Sequence, residues 1–282
     1  MSYQIIADSC GDFTEEMKAN PVFKLVPLTL EIGEYTIPDD ENFNQADFIA
    51  RVKASPIGPK SACPSPEAFQ NAIQSSPAEE IYIVTLSSKL SGTYQAAKIG
   101  QTMAEEEGTS KKIHVFDSKS ASAGECKLCL DILEAKEAGK SFEEVVSEIE
   151  EACSDITTLF VLESLDTLRK NGRLTGVKSF LASALNIKPV MGAVDGSIVQ
   201  LGQQRGIQKA LKKMVEFAIE RAGGVEKVKE KRLVITHVND PERAEAVKAD
   251  FLKSAEFKEV IITNAMGVAT IYANDKGIVV AL

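Results

Sequence analysis

Residues 81–97 change from apolar to polar positions over a short distance, and this change predicts a strand, a loop and a helix in that order. Residues 81–86 are apolar enough for a buried strand, and residues 94–97 begin a helix. The loop between them carries Ser87, Ser88, Ser91, Gly92 and Thr93. Such a turn directs N–H groups and hydroxyls to one point, so it favours a carboxylate or a phosphate. The alternative is that Ser91 or Thr93 only caps the helix.

The first half of the chain alternates between strand-like and helix-like patterns. The predicted strands cover residues 3–7, 25–32, 81–86 and 112–117. The predicted helices begin near residue 14 and cover 44–53 and 65–74, and residues 124–139 show helical spacing. This alternation predicts a parallel α/β sheet, whose ligands bind at the carboxyl ends of the strands. Four hydroxyl-bearing loops are therefore expected on one edge: Asp8-Ser9, Ser61, 87–93 and Asp117-Ser118.

The second half has a different rhythm, which predicts an α+β domain with a mixed or antiparallel sheet. The predicted helices cover residues 141–153, 177–185 and 205–222, and the predicted strands cover 157–162, 233–238, 260–264 and 278–282. Two further strands flank Asp195-Gly196, a dipeptide typical of a hairpin. We place the domain boundary near residue 155, which gives an N-terminal domain over 1–155 and a C-terminal domain over 156–282.

Charge and apolar content narrow the classes of partner. The chain has 282 residues and a net charge of -9, and this charge opposes nonspecific binding to nucleic acid or to an anionic membrane. No segment has the pattern of a secretion signal or of a membrane helix. Five scattered cysteines do not form a disulfide framework, so reduced thiols and a cytoplasmic location are expected.

The cysteines and histidines do not predict a metal site or a cofactor. Cys126 and Cys129 have the C-x-x-C spacing, but the surrounding apolar residues repeat at helical spacing and no second pair completes a tetrahedral site. Buried helix cysteines are the preferred interpretation. His114 and His237 lie in separate strand-like segments, and neither is tied by sequence to a nucleophile.

Seven segments, in order and covering nearly the whole chain, resemble the DegV family of bacterial fatty-acid-binding proteins. They are IIADSCGDF (5–13), KSACPSPEAF (60–69), LSSKLSGTYQAA (86–97), IHVFDSKSASAG (113–124), LESLDTLRKNGRLTG (162–176), LNIKPVMGAVDGSI (185–198) and QQRGIQKAL (203–211). The resemblance implies a protein without catalysis of its own. Such a protein holds a long-chain fatty acid in a buried tunnel and presents the carboxylate to a separate fatty acid kinase, which makes the acyl phosphate for phospholipid synthesis.

The resemblance also implies which residues bind the carboxylate. The Thr of the family's T-S-x-P-S motif falls on Ser61, and the last position of that motif falls on Ser65. The L-S-G-T-Y motif places Ser91, Gly92 and Thr93 at the same carboxylate. The proposed tunnel lining, which sequence does not separate from ordinary core, includes Phe160, Leu162, Phe180 and Leu181.

The chain departs from the family pattern at two places. Of the two Arg residues that the family carries near its long helix, only Arg205 is present, with Ile207 at the second position; Arg205, Lys209 and Arg173 are the candidates for contact with the kinase. Arg173 equally suits a contact with the ligand or with a structural carboxylate. Tyr272 stands where the family often has His, and its hydroxyl can donate to a carboxylate without titrating near neutral pH.

Two other classes of function are compatible with the residues. A hydrolase of a small acyl ester would use Ser91 or Cys63 as nucleophile, although neither His is linked to them by sequence. A nucleotide- or phosphate-binding protein is less favoured, because the chain has no G-x-x-x-x-G-K-[ST] or G-x-G-x-x-G string.

Overall fold

The computed structural model describes residues 2–174 and 186–282, and these residues form thirteen strands and eleven α-helices. The N-terminal part contains β1 (Tyr3–Asp8), α1 (Glu15–Ala19), β2 (Phe23–Val26), β3 (Thr29–Ile32), β4 (Tyr35–Pro38), α2 (Gln45–Ala54), β5 (Lys60–Ala62), α3 (Pro66–Gln74), β6 (Glu80–Thr85), α4 (Thr93–Glu106), β7 (Lys112–Asp117), α5 (Ala123–Glu137) and α6 (Phe142–Asp155). The C-terminal part contains β8 (Thr158–Val161), α7 (Asp166–Lys170), β9 (Ile187–Val194), β10 (Ser197–Arg205), α8 (Ile207–Arg221), α9 (Val225–Val228), β11 (Arg232–His237), α10 (Pro241–Ser254), β12 (Glu259–Asn264), α11 (Gly267–Ala273) and β13 (Ile278–Ala281). The predicted helix over 177–185 lies outside the described residues.

The parallel sheet predicted for the first half is present. Its four strands have the order β2-β1-β6-β7, and all the neighbouring pairs are parallel. β1 and β6 are buried along nearly their whole length, as the apolar runs of central parallel strands require. The loops that follow β1, β6 and β7 therefore meet at one edge.

The prediction of one strand over residues 25–32 was wrong. The segment divides at Pro27 into β2, which joins the parallel sheet, and β3, which joins a separate antiparallel sheet of order β4-β3-β5. Pro27 has no N–H to continue a ladder, and the N–H of Leu28 is taken by the hydroxyl of Ser9 at 3.0 Å. As a result Ser61 lies in the short strand β5, opposite Leu30, and not in a loop of the parallel sheet.

The second sheet is mixed, as predicted. Its six strands have the order β10-β9-β8-β13-β11-β12, and only the β11–β12 pair is parallel. The hairpin at Asp195-Gly196 is confirmed, and both residues have positive φ, which suits a two-residue turn between twisted strands. The helix predicted to begin at Arg205 begins two residues later, because Arg205 still pairs with Ile187 in the hairpin.

Polar residues start the helices where the sequence predicts them. Thr14, Asn44, Ser65 and Ser141 are N-caps whose side chains accept a backbone N–H of the first turn. Among the described residues, no helix combines the length and apolar character needed to cross a bilayer.

The domain boundary near residue 155 stays a prediction. α6 ends at Asp155 and the mixed sheet begins with β8, so the change of sheet coincides with that position. The hydrophobic core does not break there, because one cluster joins Ile5 and Cys126 to Val234 and Ala281. α5 packs against strands of both large sheets and is the main element of this shared core.

Candidate functional site

An apolar cavity of about 360 Å³ lies where the loops of the parallel sheet meet the mixed sheet. Its walls come from the loops after β1, β6 and β7, from the small antiparallel sheet, from β8 and the β9–β10 hairpin, and from α11. Its apolar lining includes Leu28, Leu86, Leu90, Phe160, Leu162, Leu168, Ile198, Val268 and Val279. The volume is within the range of pockets that hold small organic ligands.

The order of residues along β8 gives the direction of the cavity. Thr158, Phe160 and Leu162 all line it, and alternate positions of a strand face the same side. At roughly 3.3 Å per residue the cavity follows β8 for about 13 Å. The chain beyond Leu162 leads through α7 to Arg173, while Thr158 lies near the hairpin tip at Gly196. Phe160 of β8 and Leu162, the residue that follows β8, are both in the wall as predicted, whereas Phe180 and Leu181 lie outside the described residues.

Polar side chains gather at one end of the cavity, which we call the polar end; it comprises Ser61, Ser91, Gly92, Arg173 and Tyr272. The Oγ of Ser61 and the Oη of Tyr272 are hydrogen-bonded at 3.1 Å, although 211 positions separate them in sequence. Because one is on β5 and the other on α11, the two halves of the chain together build this end.

The loop between β6 and α4 brings Ser91 and Gly92 to the polar end. The carboxylate of Asp8 accepts the N–H of Leu86 at 2.8 Å, which fixes the start of the loop. Ser91 Oγ is 2.8 Å from Thr93 Oγ1 and accepts the N–H of Thr93 at 3.3 Å. Thr93 is buried beneath the lining, so it orients Ser91, while Gly92 caps α4 and is exposed in the cavity wall.

Arg173 supplies a cation at the polar end. Its guanidinium lies 5.6 Å from the centre of the Tyr272 ring, and its Nε and Nη1 donate to the carbonyls of Leu90 and Asn171 at 3.2 and 2.5 Å. These partners are carbonyls of the cavity rim, so the positive charge stays available to an anion. Of the three roles open to Arg173 in the sequence, the geometry favours contact with a ligand.

The opposite end, which we call the hairpin end, comprises Ser120, Thr158, Ala193, Gly196 and Ile198. The hydroxyls of Ser120 and Thr158 are 2.6 Å apart and satisfy each other. The hydroxyl of Ser87 donates to the carbonyl of Gly196 at 2.8 Å, which seals the hairpin against the loop of the parallel sheet. Lys119 also lines this end, and its ammonium group is 3.6 Å from a carboxylate oxygen of Asp195. The hairpin end thus presents carbon, internally paired hydroxyls and a lysine that is paired with Asp195.

Four predicted site residues are not part of the cavity lining: Thr93, which lies beneath it, and Ser65, Arg205 and Lys209. Ser65 is the N-cap of α3, and its hydroxyl accepts the N–H of Ala68 at 3.3 Å, so its prediction as a ligand contact finds no geometric support. Arg205 and Lys209 are exposed at the end of β10 and in the first turn of α8. Their predicted contact with a partner stays a prediction.

The residues considered for nucleophilic catalysis are not brought together. Cys63 is exposed in the wall beside Gly92, and the other four cysteines are buried. Nε2 of His114 is hydrogen-bonded to a carboxylate oxygen of Glu150 at 2.7 Å, and Nδ1 of His237 accepts the N–H of Asp240. Within residues 2–174 and 186–282, no histidine lines the cavity.

Four buried acids lie beneath the cavity, and of these the sequence analysis placed only Asp8 near the site, as part of the Asp8-Ser9 loop. Burial raises the pKa of Asp8 to about 7, of Asp12 to about 8 and of Asp39 to about 6. Burial, and then the charge of Asp8, raises the pKa of Glu125 well above its usual value. A carboxylate oxygen of each of Asp8 and Glu125 and the Sγ of Cys10 lie within 4.8 Å of one another. Two carboxyls so close in a dry interior do not both ionise, so Glu125 keeps its proton near neutral pH.

The sequence analysis also did not predict α11, although the residues of α11 that line the cavity have helical spacing. Val268, Ala269, Tyr272 and Ala273 all line the cavity, and their spacing is that of one helix face. The helix has seven residues and begins at a glycine, which made its pattern too short to separate from a strand.

Comparison with known proteins identifies relatives along the whole length. The model of a family described as "Uncharacterised protein, DegV family" matches residues 2–281. A DegV domain-containing protein of Streptococcus pyogenes serotype M1 is 31% identical over 282 residues, covering 99% of this chain and 98% of that protein.

Solved structures agree with these sequence matches. A DegV family protein of Ruminococcus gnavus, refined with vaccenic acid, has a TM-score of 0.96 at 44% identity, with 100% of both chains covered. The Fatty Acid Kinase (Fak) B3 protein of Streptococcus pneumoniae, loaded with linoleic acid, has a TM-score of 0.87 at 28% identity and covers 100% of this chain and 99% of its own. A DegV family protein of Eubacterium eligens, loaded with heptadecanoic acid, has a TM-score of 0.89 at 27% identity, with 99% of both chains covered. The chain belongs to the DegV family.

Proposed function

We propose that this protein binds one long-chain fatty acid in the cavity, with the carboxylate at the polar end and the methyl group at the hairpin end. The observation that carries the proposal is the distribution of polar groups. The guanidinium of Arg173 and the hydroxyls of Ser61, Ser91 and Tyr272 gather at one end, and the walls beyond them are apolar. At the far end the hydroxyls of Ser120 and Thr158 pair with each other, and the ammonium group of Lys119 lies 3.6 Å from a carboxylate oxygen of Asp195.

The energies of the two ends support this division. Each buried methylene contributes about 0.8 kcal/mol, so the alkyl chain supplies most of the gross affinity. An unpaired carboxylate in such a pocket would cost several kcal/mol, and hydroxyls with a nearby guanidinium remove that cost. Ser61, Ser91, Tyr272 and Arg173 therefore fix the orientation of the acid.

The bound acids of related structures support the same ligand class. The relative at 44% identity carries vaccenic acid, and those from S. pneumoniae and E. eligens carry linoleic and heptadecanoic acid. These acids differ in length and saturation but share a carboxylate on a long chain. The common chemistry is the one that this cavity offers.

The protein then acts as a carrier and presents its acid to a fatty acid kinase. The kinase transfers the terminal phosphoryl group of ATP to the carboxylate, which gives acyl phosphate and ADP, and the acyl phosphate feeds phospholipid synthesis. Arg205 and Lys209 form an exposed basic pair for the kinase surface. The five free cysteines suit the reducing cytoplasm in which this reaction takes place.

The hydrolase hypothesis lacks a general base. Ser91 and Cys63 both reach the cavity, but His114 and His237 are engaged elsewhere in the part of the chain that the structure describes. A serine hydroxyl at its usual pKa is a weak nucleophile without such a base. We therefore prefer the carrier.

Native mass spectrometry of the protein purified from a bacterial host tests the ligand. The proposal expects a mass increment equal to one fatty acid and no turnover of a chromogenic ester. A protein that stays empty after incubation with oleic acid, or an esterase activity that is lost in Ser91→Ala, would reject it.

A kinase assay tests the carrier role separately. With ATP and a bacterial fatty acid kinase, the loaded protein should support acyl phosphate formation, and Arg205→Glu should reduce the rate. Arg221→Glu is the matched control, because Arg221 is exposed at the other end of α8, about 21 Å from its first residue. Equal rates for both variants would remove Arg205 from the docking surface.

A further inference from the structure

The N-terminus of α11 is held by two aspartates from the other half of the chain. The two carboxylate oxygens of Asp39 accept the N–H groups of Gly267 and Val268 at 2.7 and 3.0 Å. A carboxylate oxygen of Asp12 accepts the N–H of Met266 at 2.6 Å. Three consecutive backbone donors of one helix end are thus bound by side chains more than two hundred residues away in sequence.

The surface beneath this contact leaves no room for the helix to shift. A Cβ added to Gly267 would lie 2.6 Å from Oδ1 of Asp39 and would also strike the side chain of Leu30. Leu30 is in β3 of the small antiparallel sheet, and its register partner in that sheet is Ser61. The helix end therefore rests on the same small sheet that carries Ser61.

Tyr272 lies on the second turn of α11 and reaches back to this sheet. Its Oη meets Ser61 Oγ at 3.1 Å, so the sheet and the helix are joined at two places, by Asp39 at the helix start and by this hydroxyl pair at the cavity. The hydroxyl pair is formed by side chains with rotatable torsions. Asp39 binds two backbone N–H groups and so holds the helix start itself, next to the amide of Gln45, which donates to the carbonyl of Ala265 and the hydroxyl of Thr270.

We propose that Asp39, assisted by Asp12, is a positioning residue for the carboxylate of the bound fatty acid: it fixes α11 so that Tyr272 stands beside Ser61. The inference rests on the proposed function, since it concerns the same polar end. It assigns a role in ligand recognition to two aspartates that do not line the cavity.

The test compares an acid with its ester. The affinities of palmitic acid and of methyl palmitate are measured for the delipidated wild type and for Asp39→Asn. Asparagine keeps one acceptor oxygen and turns an NH2 group toward a backbone N–H, so one of the two helix contacts is lost. The affinity for the acid should fall about tenfold, which corresponds to about 1.4 kcal/mol, while the affinity for the ester changes less than about twofold.

Asp40→Asn is the matched control. Across the described ranges 2–174 and 186–282, its carboxylate accepts only the N–H of Asn42, in its own turn, at 2.9 Å. The same chemical change one position along should therefore leave both affinities unaltered. The double variant Asp39→Asn with Tyr272→Phe gives a second criterion. Because Asp39 acts through Tyr272, the double variant should bind the acid within about twofold of the weaker single variant.

The outcomes separate the two proposals. A wild type that binds neither probe overturns the proposed function and this inference with it. If the wild type prefers the acid, three results overturn this inference alone. The Asp39→Asn variant could keep the preference for the acid, or its affinities for acid and ester could fall equally. The loss in the double variant could also equal the sum of the losses in Asp39→Asn and Tyr272→Phe. If Asp39→Asn does not fold, Asp12→Asn is judged by the same acid-to-ester ratio. The Asp12 carboxylate accepts the N–H of Met266 and the hydroxyl of Ser122, and an amide keeps an acceptor oxygen for only one of them.

Discussion

The polar end and the hairpin end of the cavity are built by different means. At the polar end, side chains from a short antiparallel strand, a loop, a helix and a turn converge, and Ser61 meets Tyr272 across 211 positions of sequence. At the hairpin end, the wall is a turn whose backbone carbonyl accepts a hydrogen bond from Ser87, with small and apolar residues around it and Lys119 paired with Asp195 of the turn. Recognition of the carboxylate and limitation of the chain length are therefore separable, and each should change without the other.

The largest expected effect comes from filling the hairpin end. Ala193 and Ile198 are register partners that both line this end, so Ala193→Phe takes space from the last methylenes of a long acid. Loss of about two to three methylenes corresponds to about 2 kcal/mol, or roughly thirtyfold weaker binding of a long acid. Titration with a series of saturated acids should show no loss for the shortest members.

Val194→Phe is the control for this prediction. Val194 is the next residue of β9 and is 48% exposed, so a benzyl group there enters solvent and not the cavity. Equal losses for acids of every length in Ala193→Phe would contradict the assignment of the hairpin end to the methyl group.

The second prediction concerns the polar end. Ser61→Ala and Tyr272→Phe each remove one donor to the carboxylate, which should weaken binding of the acid by about 1.5 kcal/mol, or roughly tenfold, at every chain length. Calorimetry with the same series of acids gives the measurement. A loss that grows with chain length would place these residues against the alkyl chain.

Ser65→Ala separates the structural position of Ser65 from its predicted role at the carboxylate. As the N-cap of α3 it should lower the free energy of unfolding by about 1 kcal/mol and leave the affinity for the acid unchanged. Weaker binding with unchanged unfolding would restore the ligand contact that the motif implies.

The third prediction uses Cys63 as a reporter of the polar end. It is exposed in the cavity wall, while the other four cysteines are buried, so a thiol reagent should label it first. A bound acid should slow this labelling several-fold, and Cys63→Ser should abolish the fast phase. An unchanged labelling rate on addition of oleic acid would mean that the carboxylate lies elsewhere.

The last prediction concerns stability and not affinity: the free energy of unfolding should depend on pH through the buried acids beneath the cavity. Burial raises the pKa of Asp8 to about 7 and of Asp12 to about 8, well above their values in the unfolded chain. The folded state then binds more protons than the unfolded state, so the free energy of unfolding should fall by about 1 kcal/mol or more from pH ~6.5 to ~8.5. Urea unfolding across this range measures it, and stability that rises with pH would contradict the burial of these acids.

The sequence predicts the parts of the fold that depend on the local periodicity of hydrophobic and polar residues. The alternation of residues 81–97 gives β6, its loop and α4 correctly, and polar caps such as Ser141 give the helix starts. The antiparallel β4-β3-β5 sheet is missed, because its strands have only three or four residues and only Pro27 and Leu28 separate β2 from β3. Short strands acquire their structure from neighbours and not from their own pattern.

The residues of the site divide in the same way, into those that a local sequence pattern predicts and those that it does not. Ser91 and Gly92 come from a local strand–loop–helix pattern, and the resemblance supplies Ser61 and Tyr272, which lie together in the structure. The contact between Asp12 and Met266 spans 254 positions and has no periodic signal, so the support beneath the site is visible only in three dimensions.

A crystal structure with a fatty acid that carries bromine on its terminal carbon tests the central claim most directly. The account predicts one anomalous peak at the hairpin end, near Thr158 and Gly196, with a carboxylate within hydrogen-bond distance of Ser61 or Tyr272. An anomalous peak at the polar end, or none in the cavity of a protein that has bound the acid in solution, would contradict it.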